Sequence, residues 1–411
     1  MNFKELKLNK PIVRALFEKG YSEPTLVQER AIPVILHKKD IIVSAQTGTG
    51  KTAAYALPIL QLLFDKQDAP KKGKKIKALI VCPTRELAIQ IEENFKTYST
   101  YTNLRTGVIF GGASIEPQKD MLKKGVDILV ATPGRLLDLH KQDVVNLDYI
   151  ETLVLDEADL MLDMGFIDDV KKIERLCPDG KQILLFSATM PYKVEHLANA
   201  ILKAPEYVEV SPTSSAAKGV NQVLYYVPKP KKIELCLHLL RNNIKGSVII
   251  FRRTKYGVDK LEKTLLRNNY TAVSIHGDKA QSLRQEALNT FKKGEARVFI
   301  ATDVAARGID IKNVDVVINF DIPNVSETYV HRIGRTARAG ASGMALSFCS
   351  ADEKEYIKDI QQLINTAIHV EEEHPYPLDP KAKPQVHKKK GSKYKKGRKS
   401  EASKKKKKRW Y

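Results

Sequence analysis

The sequence predicts an α/β protein of two tandem domains, each a parallel β-sheet flanked by helices, followed by a disordered basic tail. Three observations carry this expectation. The 411 residues exceed what a single hydrophobic core usually supports. Short β-branched or aliphatic runs alternate with amphipathic stretches, which is the pattern of strand–helix units in a parallel sheet. The small, polar and turn-forming residues of 211–219 interrupt that alternation once, after which it restarts. The expected boundaries are therefore 1–210 for the first domain, 211–219 for a linker, 220–370 for the second domain and 371–411 for the tail.

In chain order, the first domain offers strands at 41–43, 79–81, 108–110, 128–130, 153–155 and 183–186. The second offers them at 223–227, 248–251, 271–275, 298–301, 314–319 and 344–348. With 43% apolar and 28% charged residues, the composition is that of a soluble globular chain. Its apolar runs, such as Leu184-Leu185-Phe186, are far too short to cross a bilayer, so no membrane association is expected. Met1 to Glu5 lacks the basic stretch and apolar run of a secretory signal, and a cytoplasmic location is expected. Cys82, Cys177, Cys236 and Cys349 lie far apart without metal-ligand spacing, which predicts free thiols and no zinc.

The formal charge of +21 is concentrated at one end: residues 381–411 hold sixteen Lys or Arg against Glu401 alone, a net +15. Lys, Gly and Ser almost without aliphatic residues cannot bury enough apolar surface to offset chain entropy, hence the expected disorder. A solubilising tail and a targeting signal at 404–409 are alternatives, but a sequence-blind electrostatic tether to nucleic acid is favoured.

The sharpest local pattern is Ala45-Gln46-Thr47-Gly48-Thr49-Gly50-Lys51-Thr52, between an expected strand and an expected helix. Glycines let backbone N–H groups wrap an anion at a helix N-terminus, Lys51 neutralises β/γ-phosphate charge, and the Thr52 hydroxyl suits Mg²⁺. Such a phosphate loop calls for an acid at the end of a neighbouring strand. Asp156-Glu157-Ala158-Asp159 supplies it, with Asp156 placed to hold Mg²⁺ through water and Glu157 to polarise the attacking water.

Asp-Glu-Ala-Asp is the signature of DEAD-box RNA helicases, and the chain resembles that family from Phe3 to about Phe348. The resemblance implies two RecA-like domains, ATP as substrate with Mg²⁺, and RNA as partner. Residues 20–28, with Phe3 upstream, resemble the Q motif, which implies that Gln28 reads adenine and Phe3 stacks on it. The stretches containing Arg85, Gly112, and Thr132 with Arg135 resemble RNA-backbone motifs of the first domain, as Arg284 and Gly308 match those of the second. Hydroxyls, guanidinium groups and loop N–H groups position RNA without reading bases.

Ser187-Ala188-Thr189 resembles the motif linking the ATP site to RNA opening, and its side chains are placed to bond the Asp156–Asp159 loop. In the second domain, Asp303 is expected at the nucleotide, and Arg335 and Arg338 at the γ-phosphate, a role worth ~10³ to 10⁵ in rate in related phosphoryl transfers. Ala337 departs from the family's usual Gly, which puts interdomain packing there in doubt.

The function these residues imply is RNA-stimulated ATP hydrolysis coupled to local unwinding, with a monomeric core. An RNA clamp or a DNA-directed relative are the alternatives. The compact core is similar to bacterial RhlE-type members, which suggests ribosome-assembly or RNA-decay partners.

Overall fold

The computed structural model describes residues 2–46, 48–66, 75–210, 219–306, 309, 311, 314–336 and 343–379. In the first domain the apolar runs become β1 (Ile41–Ala45), β2 (Ala78–Val81), β3 (Thr106–Ile109), β4 (Ile128–Ala131), β5 (Thr152–Leu155), β6 (Gln182–Ser187) and β7 (Glu206–Val210). They form one parallel sheet in the order β3-β4-β2-β5-β6-β1-β7. Every residue of β2, β4, β5 and β6 is buried, as strands covered by helices on both faces must be. β7 alternates exposed Glu and Tyr with buried Val from Tyr207 onward, which fits its place at the edge.

The second domain contributes β8 (Val220–Tyr226), β9 (Val248–Arg252), β10 (Ala272–Ile275), β11 (Val298–Thr302), β12 (Val316–Asn319), β13 (Gly343–Cys349) and β14 (His369–Val370). Its sheet, also parallel, runs β10-β11-β9-β12-β13-β8-β14. Each strand number is that of the first sheet plus seven, so the two domains repeat one topology although their sequences carry no visible repeat. These are tandem RecA-like folds.

The first sheet's two faces pack separate apolar clusters. One holds Val43, Ile80, Val154 and Phe186 under the helix Lys51–Phe64, and also takes in Phe3, Leu6 and Leu8 from the N-terminal arm. The other holds Leu79, Leu129, Leu153 and Leu185. The four cysteines are free thiols buried in these cores and their counterparts. No described helix is long and apolar enough to cross a membrane.

One boundary needs correction. The tail was expected from 371, yet 371–379 dock on the second sheet. Glu371 N–H donates to Leu224 O and Leu378 N–H to Tyr226 O, each at 2.9 Å. The His374 ring meets Tyr225 edge-on at 5.5 Å, and Tyr376 packs against the adjoining core. The aromatic contacts of His374 and Tyr376 anchor this stretch although it opens with the acidic run Glu371-Glu372-Glu373. The linker residues 211–218 and the Lys-rich segment from 380 onward lie outside the described residues.

Candidate active site and nucleic-acid interface

β1 delivers the phosphate loop, and the helix Lys51–Phe64 begins at its end. Gly48 and Gly50 adopt φ of 91° and 92°, the left-handed region that glycine enters without strain. A Cβ on Gly50 would stand 2.4 Å from Gln28 Nε2, so the close approach also requires glycine. Gln28 braces the loop from behind: its Nε2 donates to Gly50 O at 3.2 Å while its Oε1 accepts from Thr25 N–H at 3.0 Å. Thr25 Oγ1 donates to Thr49 O, and Thr49 Oγ1 to Gln46 O, both at 2.8 Å.

Lys51 is 7% exposed, and its ammonium is buried with no hydrogen-bond partner among the described residues. A buried, unsatisfied cation at the first turn of a helix fits a phosphate chain. Lys51, Thr52, Asp156 and Glu157 line one cavity together with Tyr21 from the N-terminal segment and Arg335 and Ile309 from the second domain.

β5 ends at Asp156, which is 3% exposed and accepts from Glu157 N–H at Oδ1 and from the Tyr55 hydroxyl at Oδ2, both at 2.9 Å. Burial pushes its carboxyl up, opposed by Lys51. Glu157 sits at φ 52°, ψ 55°, a costly conformation for a residue with a Cβ. Burial drives its carboxyl up to about 7; Lys51 and Arg335 pull it down, whereas Asp156 and Asp159 push it further up. A group near neutrality in a cleft is suited to take a proton from water.

The loop is tied to Ser187 and Thr189 as the sequence suggested. Asp159 N–H donates to Ser187 Oγ at 3.2 Å, Ser187 Oγ to Thr189 O at 2.6 Å, and Thr189 N–H and Oγ1 to Asp159 Oδ2 at 3.0 and 2.9 Å. Burial raises the Asp159 carboxyl, but His331 from the second domain, Lys51 and these donors leave it below the usual value.

Across the cleft, Arg335 is 8% exposed and donates to Ile309 O at 2.7 Å. Thr47, Gly308, Ala337 and Arg338 lie outside the described residues. Several of the residues expected at the nucleotide stand off this cavity's wall. Phe3 is 1% exposed in the core, in a T-shaped contact with Tyr21 at 6.5 Å between ring centroids, and Tyr21, not Phe3, lines the cavity wall. Asp303 does not line that cavity; its carboxylate grips Arg332 at 2.6 and 2.8 Å. Gln28, 0% exposed, and Ala45, buried at the end of β1, also stand behind the wall rather than on it.

A second cavity opens at the carboxyl ends of β2 and β4 and faces the second domain. Arg85, Thr132, Arg135 and Gly111 line it on one side, Arg284, Gly277 and Val304 on the other. Gly112, at φ 72°, lets the Arg85 guanidinium lie across it; a Cβ there would stand 2.2 Å from both terminal nitrogens. Arg135 Nη2 donates to Ala113 O at 3.0 Å, while its Nη1 and Arg284 Nε are buried without a hydrogen-bond partner among the described residues. Unsatisfied guanidinium nitrogens facing a cleft suit phosphate oxygens.

Sequence reasoning missed Glu86, which ties the domains together: Arg284 Nη2 reaches its Oε1 at 2.9 Å and Gln281 Nε2 at 3.1 Å. It also missed Leu87, Gln90, Asn94 and Tyr98, which line the nucleotide cavity from the helix Arg85–Tyr98. Their spacing of three, four and four residues is one helical face, a signal the sequence does contain.

The fold and the cleft define a two-domain phosphate-loop ATPase with its chemistry divided between the halves. The profile of the DEAD/DEAH box helicase family matches residues 25–197, and that of the helicase conserved C-terminal domain matches 231–340. The DEAD-box ATP-dependent RNA helicase RhpA of Helicobacter pylori is 39% identical over 369 residues, covering 90% of this chain and 74% of that protein. The ATP-dependent RNA helicase CshA of Limosilactobacillus reuteri is 42% identical, covering 88% and 72%. Among solved structures, S. cerevisiae Dbp5 bound to RNA and ADP BeF3 superposes with a TM-score of 0.79 at 30% identity, covering 90% of this chain and 94% of that one. Mss116p bound to ssRNA and AMP-PNP gives 0.82 at 31%, covering 91% and 79%. The chain belongs to the DEAD-box ATP-dependent RNA helicases, enzymes that hydrolyse ATP and act on RNA.

Proposed function

We propose that the chain is an RNA-stimulated ATPase that separates short RNA duplexes or remodels RNA–protein complexes locally. The observation that carries this reading is the division of the nucleotide cavity, with Lys51 and Glu157 on one domain and Arg335 on the other. Hydrolysis then requires closure, and the guanidinium-lined cavity beside it gives RNA a means of favouring closure.

In this reading Lys51 and the loop N–H groups hold the phosphates, and Tyr21 takes the base in place of Phe3. Gln28 contributes by bracing Gly50. Thr52 and, through water, Asp156 would hold Mg²⁺, which supplies charge neutralisation on the phosphates. Glu157 accepts the proton of the attacking water, and Arg335, with Arg338, stabilises charge on the γ-phosphate. Arg85, Gly112, Thr132, Arg135 and Gly308 bind the RNA backbone, and Arg284 joins them from the opposite wall. Ser187 and Thr189 pass the state of the Asp156–Asp159 loop to that interface.

The Lys-rich segment tethers structured RNA, the core acts as a monomer, and the protein works in the cytoplasm. The likeness to RhlE-type members, with ribosome-assembly or RNA-decay partners, belongs to the same proposal.

The test measures ATP hydrolysis without nucleic acid, with single-stranded RNA and with matched DNA. Strong stimulation by RNA alone supports the reading. No stimulation removes the coupling, and equal stimulation by DNA removes the substrate. A tight RNA complex in a non-hydrolysable analogue without strand separation favours a clamp instead.

A further inference from the structure

The hydroxyl of Tyr55 has no part in the roles assigned so far, yet it sits in the middle of them. Tyr55 lies on the second turn of the phosphate-loop helix, three residues after Thr52, and is 0% exposed. Its ring is wedged against Phe186 at 5.0 Å and Phe95 at 6.2 Å, which leaves it one orientation. That orientation aims the hydroxyl at Asp156 Oδ2, 2.9 Å away in a fully buried contact. Thr52, three residues earlier in the same helix, shares its face. One phenol therefore binds one of the residues expected to serve Mg²⁺ and lies a helical turn from the other.

Packing alone would be met by phenylalanine, because the apolar contacts belong to the ring. The hydroxyl adds a donor to a carboxylate whose other oxygen already accepts from Glu157 N–H. With one donor fixed on each oxygen, the carboxylate cannot rotate about its terminal bond without breaking a buried hydrogen bond. Outer partners of this kind set the orientation of a metal-binding carboxylate, and their loss typically costs about 10- to 100-fold in metal affinity or activity.

We infer that Tyr55 is a positioning residue for the metal side of the ATP site: its buried hydroxyl locks Asp156, and so tunes how strongly Mg²⁺ supports nucleotide binding. The inference rests on the reading of Thr52 and Asp156 given above. It assigns Tyr55 no contact with nucleotide or with the reacting atoms.

The test is Tyr55→Phe, which keeps the ring, assayed by equilibrium binding of a fluorescent ATP analogue in Mg²⁺ and in EDTA. The expected result is unchanged affinity in EDTA, a loss of about tenfold in Mg²⁺, and a Mg²⁺ half-saturation raised by a similar factor. Tyr55→Leu, which also disturbs the packing, is expected to weaken binding in both buffers and so marks what a purely structural defect looks like. Mg²⁺ titrations of Tyr55→Phe that superimpose on the wild type overturn the inference, as does an equal loss with and without Mg²⁺. If the wild type itself binds equally in both buffers, the assignment of Thr52 and Asp156 fails, and Tyr55 falls with it. A cycle with Asp156→Ala gives a second reading: the effect of Tyr55→Phe should vanish in that background, and full additivity refutes action through Asp156.

Discussion

Glu86→Ala should hold the two domains apart. The Glu86 and Arg284 side chains are 4% and 8% exposed, and Gln281 shares the same carboxylate oxygen. Removing Glu86 leaves Arg284 buried in the closed arrangement, where burial already works against its charge and only Glu86 offsets it. In an open arrangement the guanidinium regains water, so the loss falls on closure rather than on folding. A hydrogen bond to a charged group contributes about 1.5–3 kcal/mol. Taking about 2–3 kcal/mol gives a closed population lowered roughly 30- to 150-fold, since 1.36 kcal/mol is a factor of ten. The assay is energy transfer between dyes on the two domains, titrated with RNA in a non-hydrolysable ATP analogue. The RNA concentration for half-closure should rise by that factor while nucleotide binding to the first domain stays put. An unchanged titration would refute the argument that this buried pair holds the cleft shut.

Four further outcomes follow from the geometry. Glu157→Gln should keep ATP and RNA binding and lose turnover by about 10²-fold or more. In the wild type, kcat/KM should fall as pH drops below about 7, because Glu157 must be ionised to accept a proton, and a flat acid limb would clear it of that role. Truncation after Asp379 should weaken RNA affinity and flatten its log–log salt slope, about −0.7 per phosphate neutralised on single strands, whereas truncation after Thr366 should also lower the unfolding midpoint by removing β14 and Tyr376. Asp321→Asn should destabilise the second domain by about 2 kcal/mol at neutral pH. Burial raises the Asp321 carboxyl, but Arg252, Lys232 and Arg253 N–H leave it depressed. Its contribution is therefore complete above the unfolded value near ~3.9, is lost as pH falls through the lower folded value, and should be missing from the variant's denaturation curves across that window.

The strands were legible because they are buried on both faces, so Leu79, Leu129 and Leu153 stand in unbroken apolar runs. β14 was not, since two residues paired to Val223 and Leu224 leave no periodic trace. The phosphate loop could be read because each glycine answers a local demand of the backbone. Phe3 and Tyr21 could not be told apart, because which of two touching rings is buried depends on packing around both. Glu86 was out of reach for another reason: Gln281, which bonds it, is 195 positions away, and only the meeting of two folded domains brings them together.

The helix Arg85–Tyr98 is a party wall between two rooms. Arg85 opens onto the guanidinium-lined cavity, and Leu87, Gln90, Asn94 and Tyr98 onto the phosphate-loop cavity. Fourteen residues make a rod about 20 Å long, stiffened by its own hydrogen bonds. At its far end the Tyr98 hydroxyl meets that of Tyr21 at 3.1 Å. Whatever tilts such a rod at one end must move it at the other, so each occupant leans on a surface its neighbour also touches.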